Sequence, residues 1–259
     1  MMGWYTNYIH YFYYYLKKYY IIYLYNMSDP YKVDYSNKSF FIYPMGNCPI
    51  STTIKRNQIW EPHLHTIFDK FIKKDNVVIE CGCHIGTHTL KMASLCEKLY
   101  GFEPMPDTYD VLMKNLKVNG ITNSTIYKKG VSEMKGYTKF SWIPHDNMGG
   151  SGLANNPMGI PNWIPETDKN IEVELTTIDA LNLHRLDFMK IDVEGYEPLA
   201  IKGAFNTIKK CRPVIVMEVW KNHFGEVDLN YTKKLFNNLL EIGYEIIHVG
   251  GPDFLFTPH

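Results

Sequence analysis

Residues 80 to 86 read ECGCHIG, a carboxylate at Glu80 followed by glycines at Gly82 and Gly86. Such glycines let a chain leave a strand, turn sharply and approach a ligand before the next helix begins. In open α/β sheets that junction is where nucleotide-like ligands sit. A dinucleotide fingerprint carries a further, middle glycine that admits pyrophosphate, and here that position holds His84. A nicotinamide-dependent oxidoreductase is disfavoured on that ground and stays as the first alternative. In the following apolar run, Glu103 comes directly after YGF, where a carboxylate can accept hydrogen bonds from both hydroxyls of a ribose. The pair points to an adenosine ligand without pyrophosphate.

A second concentration of chemistry is FMKIDVEGYE, where an apolar strand ends in Asp192, Glu194 and Glu197 around Gly195. Carboxylates there are costly unless they bind something or pair with a neighbour such as Lys190. Asp192 and Glu194 are the candidates for taking a proton from an acceptor. Glu197 is assigned mainly to capping the next helix, whose positive end favours it. Glu218, in VIVMEVW, lies at the same edge as a supporting carboxylate. His145 reads as an ordinary loop histidine. Cys81, Cys83 and His84 invite a metal, but zinc sites need a second ligand pair and none follows, so no metal site is expected. Trp60, Trp142, Trp163 and Trp220 are assigned no role.

These residues need a scaffold that alternates short apolar strands with amphipathic helices, which implies a parallel sheet covered on both faces. After a helical stretch at 62–72, the pattern predicts strands at 77–80, 98–102, 125–128, 188–192 and 214–219. Helices are expected at 87–95, 106–120, 198–208 and 231–242, with a closing antiparallel pair at 244–248 and 254–257. Between 132 and 176, GYTKFSW and IEVELTT flank a Gly/Asn/Pro-rich loop. It reads as a hairpin-like insertion whose loop at 145–159 is a candidate lid.

The chain has 259 residues, 45% of them hydrophobic, enough to bury a core without disulfides or metals. Its formal charge is zero, which argues against capture of nucleic acid and for a small or neutral substrate. Five cysteines without framework spacing fit free thiols in a reducing, cytoplasmic setting. Residues 1–26 form a tyrosine-rich extension before a main domain at 27–259. Lys17 and Lys18 interrupt it, so it is no ordinary membrane span; contact with a membrane surface is the less favoured reading.

ECGCHIG, FEP at 102–104, KGVSEMKG at 129–136 and LDFMKIDVEGYE at 186–197 occur in this order, and with them the chain resembles the FkbM family of methyltransferases. The resemblance spans about residues 40 to 250. It implies a class I methyltransferase fold: α/β, Rossmann-like, a seven-stranded mostly parallel sheet with helices on both faces and a terminal antiparallel strand. It implies S-adenosylmethionine as cofactor and methylation of a hydroxyl on a small molecule or glycan. Carried over by position, Glu80, Gly82 and Gly86 line the methionine part, Glu103 the ribose, Gly130 and Val131 the adenine, and Asp192 the methyl-transfer face. Against the family's usual D-V-G-A-N-I-G, Glu80 replaces the aspartate and keeps its charge. Cys83 and His84 replace the alanine and asparagine, and His84 is expected to alter contacts with the cofactor's carboxylate. A non-catalytic adenosine-binding module is the other alternative.

Overall fold

The computed structural model describes residues 31–35, 38–42, 49–141, 152–153, 170–221 and 226–259. The N-terminal extension and, apart from Gly152–Leu153, the loop at 145–159 lie outside the described residues, as do His145, Trp142 and Trp163.

Mostly apolar runs make the parallel strands, the central ones buried on both faces and the one at the sheet edge half-buried. They are β3 (Val77–Cys81), β4 (Lys98–Phe102), β5 (Ser124–Tyr127), β10 (Phe188–Ile191) and β11 (Val214–Glu218). With β12 (Tyr244–Gly250) and β13 (Asp253–Pro258) they form one seven-stranded sheet in the order β12-β13-β11-β10-β3-β4-β5. The five strands from β11 to β5 run parallel, and β13 is antiparallel to both neighbours. This is the class I methyltransferase sheet, and its strands fall within a residue or two of the sequence expectation.

Alternation along the strands sorts the core into two layers. Val78, Phe188, Val216 and Leu255 face one way and pack on Leu64, Ile67 and Phe68 of α2 (Pro62–Phe71) and Met92 of α3 (Thr87–Ala93). Ile79, Met189, Ile191, Ile215 and Met217 face the other way, onto Ala200, Ile201, Ala204 and Ile208 of α5 (Glu197–Cys211). Helix α4 (Pro106–Val118) begins after β4, with proline in its first turn as expected.

Three features depart from the sequence reading. The single helix expected at 231–242 is two, α6 (Leu229–Leu235) and α7 (Asn237–Glu241), because Phe236 leaves helical geometry and drives its ring into the core against Phe256. An unforeseen hairpin, β1 (Tyr31–Tyr35) with β2 (Lys38–Ile42), is followed by α1 (Pro49–Lys55). The hairpin is held from below by α4: the Asn115 side chain accepts from Phe41 N and donates to Phe41 O, and Asn119 does the same for Ser39. Third, the insertion does contain the expected antiparallel pair, β7 (Gly136–Ser141) with β9 (Asn170–Thr176). It also recruits β6 (Gly130–Val131) and β8 (Gly152–Leu153) into a separate four-stranded sheet.

Helix α5 lies so close to the loop after β6 that a Cβ at Gly203 would stand 2.0 Å from the Ser132 carbonyl oxygen. Replacing an interior helical glycine by alanine ordinarily gains about 1 kcal/mol. Here the overlap reverses the sign, and Gly203→Ala is expected to lose about 2 kcal/mol or more in urea unfolding. A stabilised variant would show that the contact yields freely.

Candidate active site

The turn after β3 is built from unusual backbone. Gly82 and Gly86 have φ of 85° and 94°, and His84, between them, has φ of 48°. The left-handed region admits asparagine and histidine more readily than most side chains, so histidine can stand where the family uses asparagine. A Cβ at Gly82 would lie 1.8 Å from the backbone oxygen of Asp192, and one at Gly86 would lie 2.7 Å from Leu112. The turn is thus pressed directly against the end of β10.

Glu103 clamps the turn from β4. Its Oε2 accepts from His84 N at 2.8 Å and its Oε1 from Met105 N at 3.0 Å. Each carboxylate oxygen retains a second lone pair, so both can still accept from a ligand. Burial pushes the Glu103 carboxyl up to about 7 against the pull of those two N–H donors. His84 is held neutral: burial lowers it to about 4, and neither ring nitrogen has a hydrogen-bond partner.

Continuing the face of the sheet that carries Val78, Phe188, Val216 and Leu255 toward the carboxyl ends gives a row of charge. Glu80 stands in register with Lys190, and Glu218 with Asp253. Lys190 Nζ donates to Asp192 Oδ2 at 2.8 Å. Burial works against the charge on Asp192, but Lys190 and a hydrogen bond with Glu218 hold it below the usual carboxylate range. Burial and the Asp192 charge drive Glu194 and Glu218 well above that range. Asp192, Glu194 and Glu218 each offer one oxygen within 4.8 Å of the others, a spacing a cation could bridge. Glu194 has φ of 54°, and the turn it occupies is braced by Glu197, whose Oε1 accepts from Val193 N and Gly195 N.

Two histidine–carboxylate pairs fasten the start of α2 over this edge: His63 to Asp253 at 2.7 Å and His88 of α3 to Glu61 at 2.8 Å. Sequence reasoning missed all four, and missed that Lys190 is buried in the row. The only signal was Glu61 with His63 and His65 in WEPHLH, across the start of the helix.

The five elements β3, α3, β4, β10 and β11 therefore meet at a single polar edge, with carboxylates at the ends of four parallel strands, Glu80, Glu103, Asp192 and Glu218. The profile of the methyltransferase FkbM domain matches residues 80–246, from the end of β3 through all the others. The chain belongs to the FkbM methyltransferase family. Among its relatives is the hexuronic acid methyltransferase AglP of Haloferax volcanii, 28% identical over 145 residues, which are 56% of each chain. Methyltransferase sdnD of Sordaria araneosa is 25% identical over 63% of this chain and 73% of its own. A crystal structure of an FkbM methyltransferase from Methylobacillus flagellatus aligns with a TM-score of 0.49 at 16% identity, over 74% of this chain and 50% of that one.

Within this FkbM domain, Glu80, Gly82, His84, Gly86, Glu103, Asp192 and Glu194 lie at this edge. Gly130 and Val131 instead form β6 of the smaller sheet, and Val131 packs in the core with Phe102 and Ile201. The thiols of Cys81 and Cys83 are buried, and burial raises both, so they behave as packing residues. Trp220 is exposed and donates to Glu218 Oε1 at 3.0 Å. Among the described residues, no helix is long and apolar enough to cross a membrane.

Glu103 gives a pH test. Its folded value, about 7, lies above the ordinary 4.5, so its contribution to stability is complete below 4.5 and is lost as pH rises through 7. Measured by urea unfolding, Glu103→Gln should gain on the wild type over that interval by up to about 3 kcal/mol. A stability gap that stays flat with pH would place the Glu103 carboxyl in a solvated setting.

Proposed function

We propose that this chain is an S-adenosylmethionine-dependent O-methyltransferase acting on a hydroxyl of a small molecule or sugar. The observation that carries the reading is the junction of two carboxylates at one glycine turn. Glu80 presents a buried Oε2 without a hydrogen-bond partner, and Glu103 spans the turn with lone pairs to spare. An orphaned buried acceptor suits an ammonium group, and a two-oxygen acceptor suits a vicinal diol, so the residues present fit an adenosine carrying an amino-acid tail. Gly82, His84 and Gly86 shape the turn that would receive that tail, with Gly130 and Val131 assigned to the adenine.

The bound cofactor supplies an already activated methyl group, which leaves the protein to align the acceptor and exclude water. Asp192 is suited to the acceptor side. Its side chain is 31% exposed while the Lys190 that holds it is buried, so it keeps a charge and faces outward. It is then ionised when a hydroxyl arrives, takes the hydrogen bond from that hydroxyl and accepts its proton as the new bond forms. Glu194, beside it, is the second candidate. A sugar-like acceptor is favoured by the similarity to AglP, a hexuronic acid methyltransferase. The nicotinamide alternative has no glycine at position 84 to admit a pyrophosphate.

Calorimetric titration with S-adenosylmethionine, S-adenosylhomocysteine and NADH tests the reading. The two adenosine ligands should bind, and Glu103→Ala should weaken them by about 1.5 to 3 kcal/mol, as expected for lost charge-assisted hydrogen bonds. Binding of NADH alone would overturn it. Against a panel of hydroxylated acceptors, Asp192→Asn should lower methyl-donor consumption by about a hundredfold or more while leaving S-adenosylhomocysteine affinity in place. A non-catalytic module would bind the cofactor and consume none with any acceptor.

A further inference from the structure

Lys190 is a lysine at 3% exposure in the middle of the sheet, where an ammonium group survives only if its charge is met. One of its three protons goes to Asp192 Oδ2. On its other side, in register on β3 and on the same sheet face, is Glu80, itself 1% exposed. Glu80 Oε2 is buried without a hydrogen-bond partner, an acceptor left open at the cofactor turn. Lys190 therefore lies between the carboxylate assigned to the cofactor and the carboxylate assigned to the acceptor.

We propose that Lys190 is a positioning residue: it is the counter-ion under which buried Glu80 presents a negative charge to the cofactor's ammonium group, while it fixes Asp192 for the acceptor. The role rests on the assignment of Glu80 to the methionine part. The surroundings leave no other cation for the task among the groups that act on the pair. Cys81, Cys83, Thr89, Glu103 and Asp192 surround Glu80. Lys190 is also acted on by Glu61, and itself acts on Glu194, Asp253, His84 and His88. Burial lowers both histidines below their usual range, so neither supplies positive charge near neutrality. Burial drives the Glu80 carboxyl up to about 7, and Lys190 is foremost among the groups that restrain it. Burial also opposes the charge on Lys190, but Asp192 and Glu80 outweigh it and the proton is held more tightly than usual.

The test is calorimetric titration of the full chain with S-adenosylhomocysteine, which keeps the ammonium group, across about pH 5.5 to 8.5. In the wild type, affinity should fall about tenfold per pH unit below the Glu80 titration and level off above it. Lys190→Met should move that break upward by about one pH unit or more, and Lys190→Arg should bring it back. Glu80→Gln should remove the part of the break that moves with Lys190, leaving only what the Glu103 carboxyl, also raised to about 7, contributes. A loss of packing alone would lower affinity without moving the break, so an unshifted break in Lys190→Met overturns the proposal. Where Lys190→Met does not fold, the double variant Lys190→Met/Glu80→Gln, with both charges gone, should fold and bind with no more of a break than Glu103 contributes. A double variant that stays unfolded would assign Lys190 to Asp192 alone and overturn the proposal. Wild-type chain that fails to bind S-adenosylhomocysteine at all refutes the cofactor reading itself, an outcome distinct from binding with an unshifted break.

Discussion

Removing a carboxylate from water without a compensating charge or proton costs several kcal/mol, and the carboxyl edge of this sheet buries Glu80, Glu103, Glu197 and Asp253 beside Lys190. Each is accommodated differently. Glu103 and Glu197 are held by backbone N–H groups of the turns they brace, Asp253 by His63, and Glu80 faces the Lys190 ammonium. The outcome is an uneven distribution of protons. Asp192 stays charged because Lys190 is at 2.8 Å, and its charge in turn helps keep Glu194 and Glu218 protonated. Moving Lys190 would redistribute protons over the whole edge.

The scaffold that imposes this arrangement was largely legible. Strands such as VVIE and FMKI are apolar but for Glu80 and Lys190 because parallel strands are covered on both faces, and that pattern needs no tertiary information. Glycine and proline punctuation located the ends of α2, α4 and the terminal pair. What stayed hidden depends on contacts distant in sequence. The hairpin of β1 and β2 is specified by Asn115 and Asn119, more than seventy residues away on a helix whose pattern gives no hint of them. The break at Phe236 accompanies the packing of its ring edge-on against Phe256 in the core, where tertiary packing overrides helix propensity.

The site divides the same way. Carboxylates at strand ends are conspicuous in sequence because little else explains an acid closing a mainly apolar run, and Glu103, Asp192 and Glu194 stand out on that basis. Glu197, expected to cap α5, sits in that helix's first turn and accepts from Val193 N and Gly195 N in the turn ahead of it. Lys190 was noticed only as a possible partner, since a lysine inside an apolar run looks the same whether it snorkels to solvent or is sealed beneath a neighbouring strand. Cross-strand register decides between them, and register is absent from a linear reading. Glu61, His63, His88 and Asp253 come from four separate segments and share no spacing that would group them.

The glycines themselves require a different explanation from the one their pattern invites. In sequence, Gly82 and Gly86 look like openings through which a backbone approaches a ligand. In the structure, the place of a Cβ at Gly82 is taken by the Asp192 carbonyl, and that at Gly86 by the Leu112 side chain. Both glycines are therefore demanded by the protein's own packing, with positive φ as a further requirement. Their presence would be the same around any ligand, which is why these two glycines, without His84 between them, cannot separate a methyltransferase from a dehydrogenase. Its chemical content comes from what that packing brings together. Because Gly82 lets β3 end directly against β10, Glu80 and Glu103 at the turn are only one residue contact away from Asp192. A cofactor-facing pair and an acceptor-facing carboxylate can then share one buried lysine.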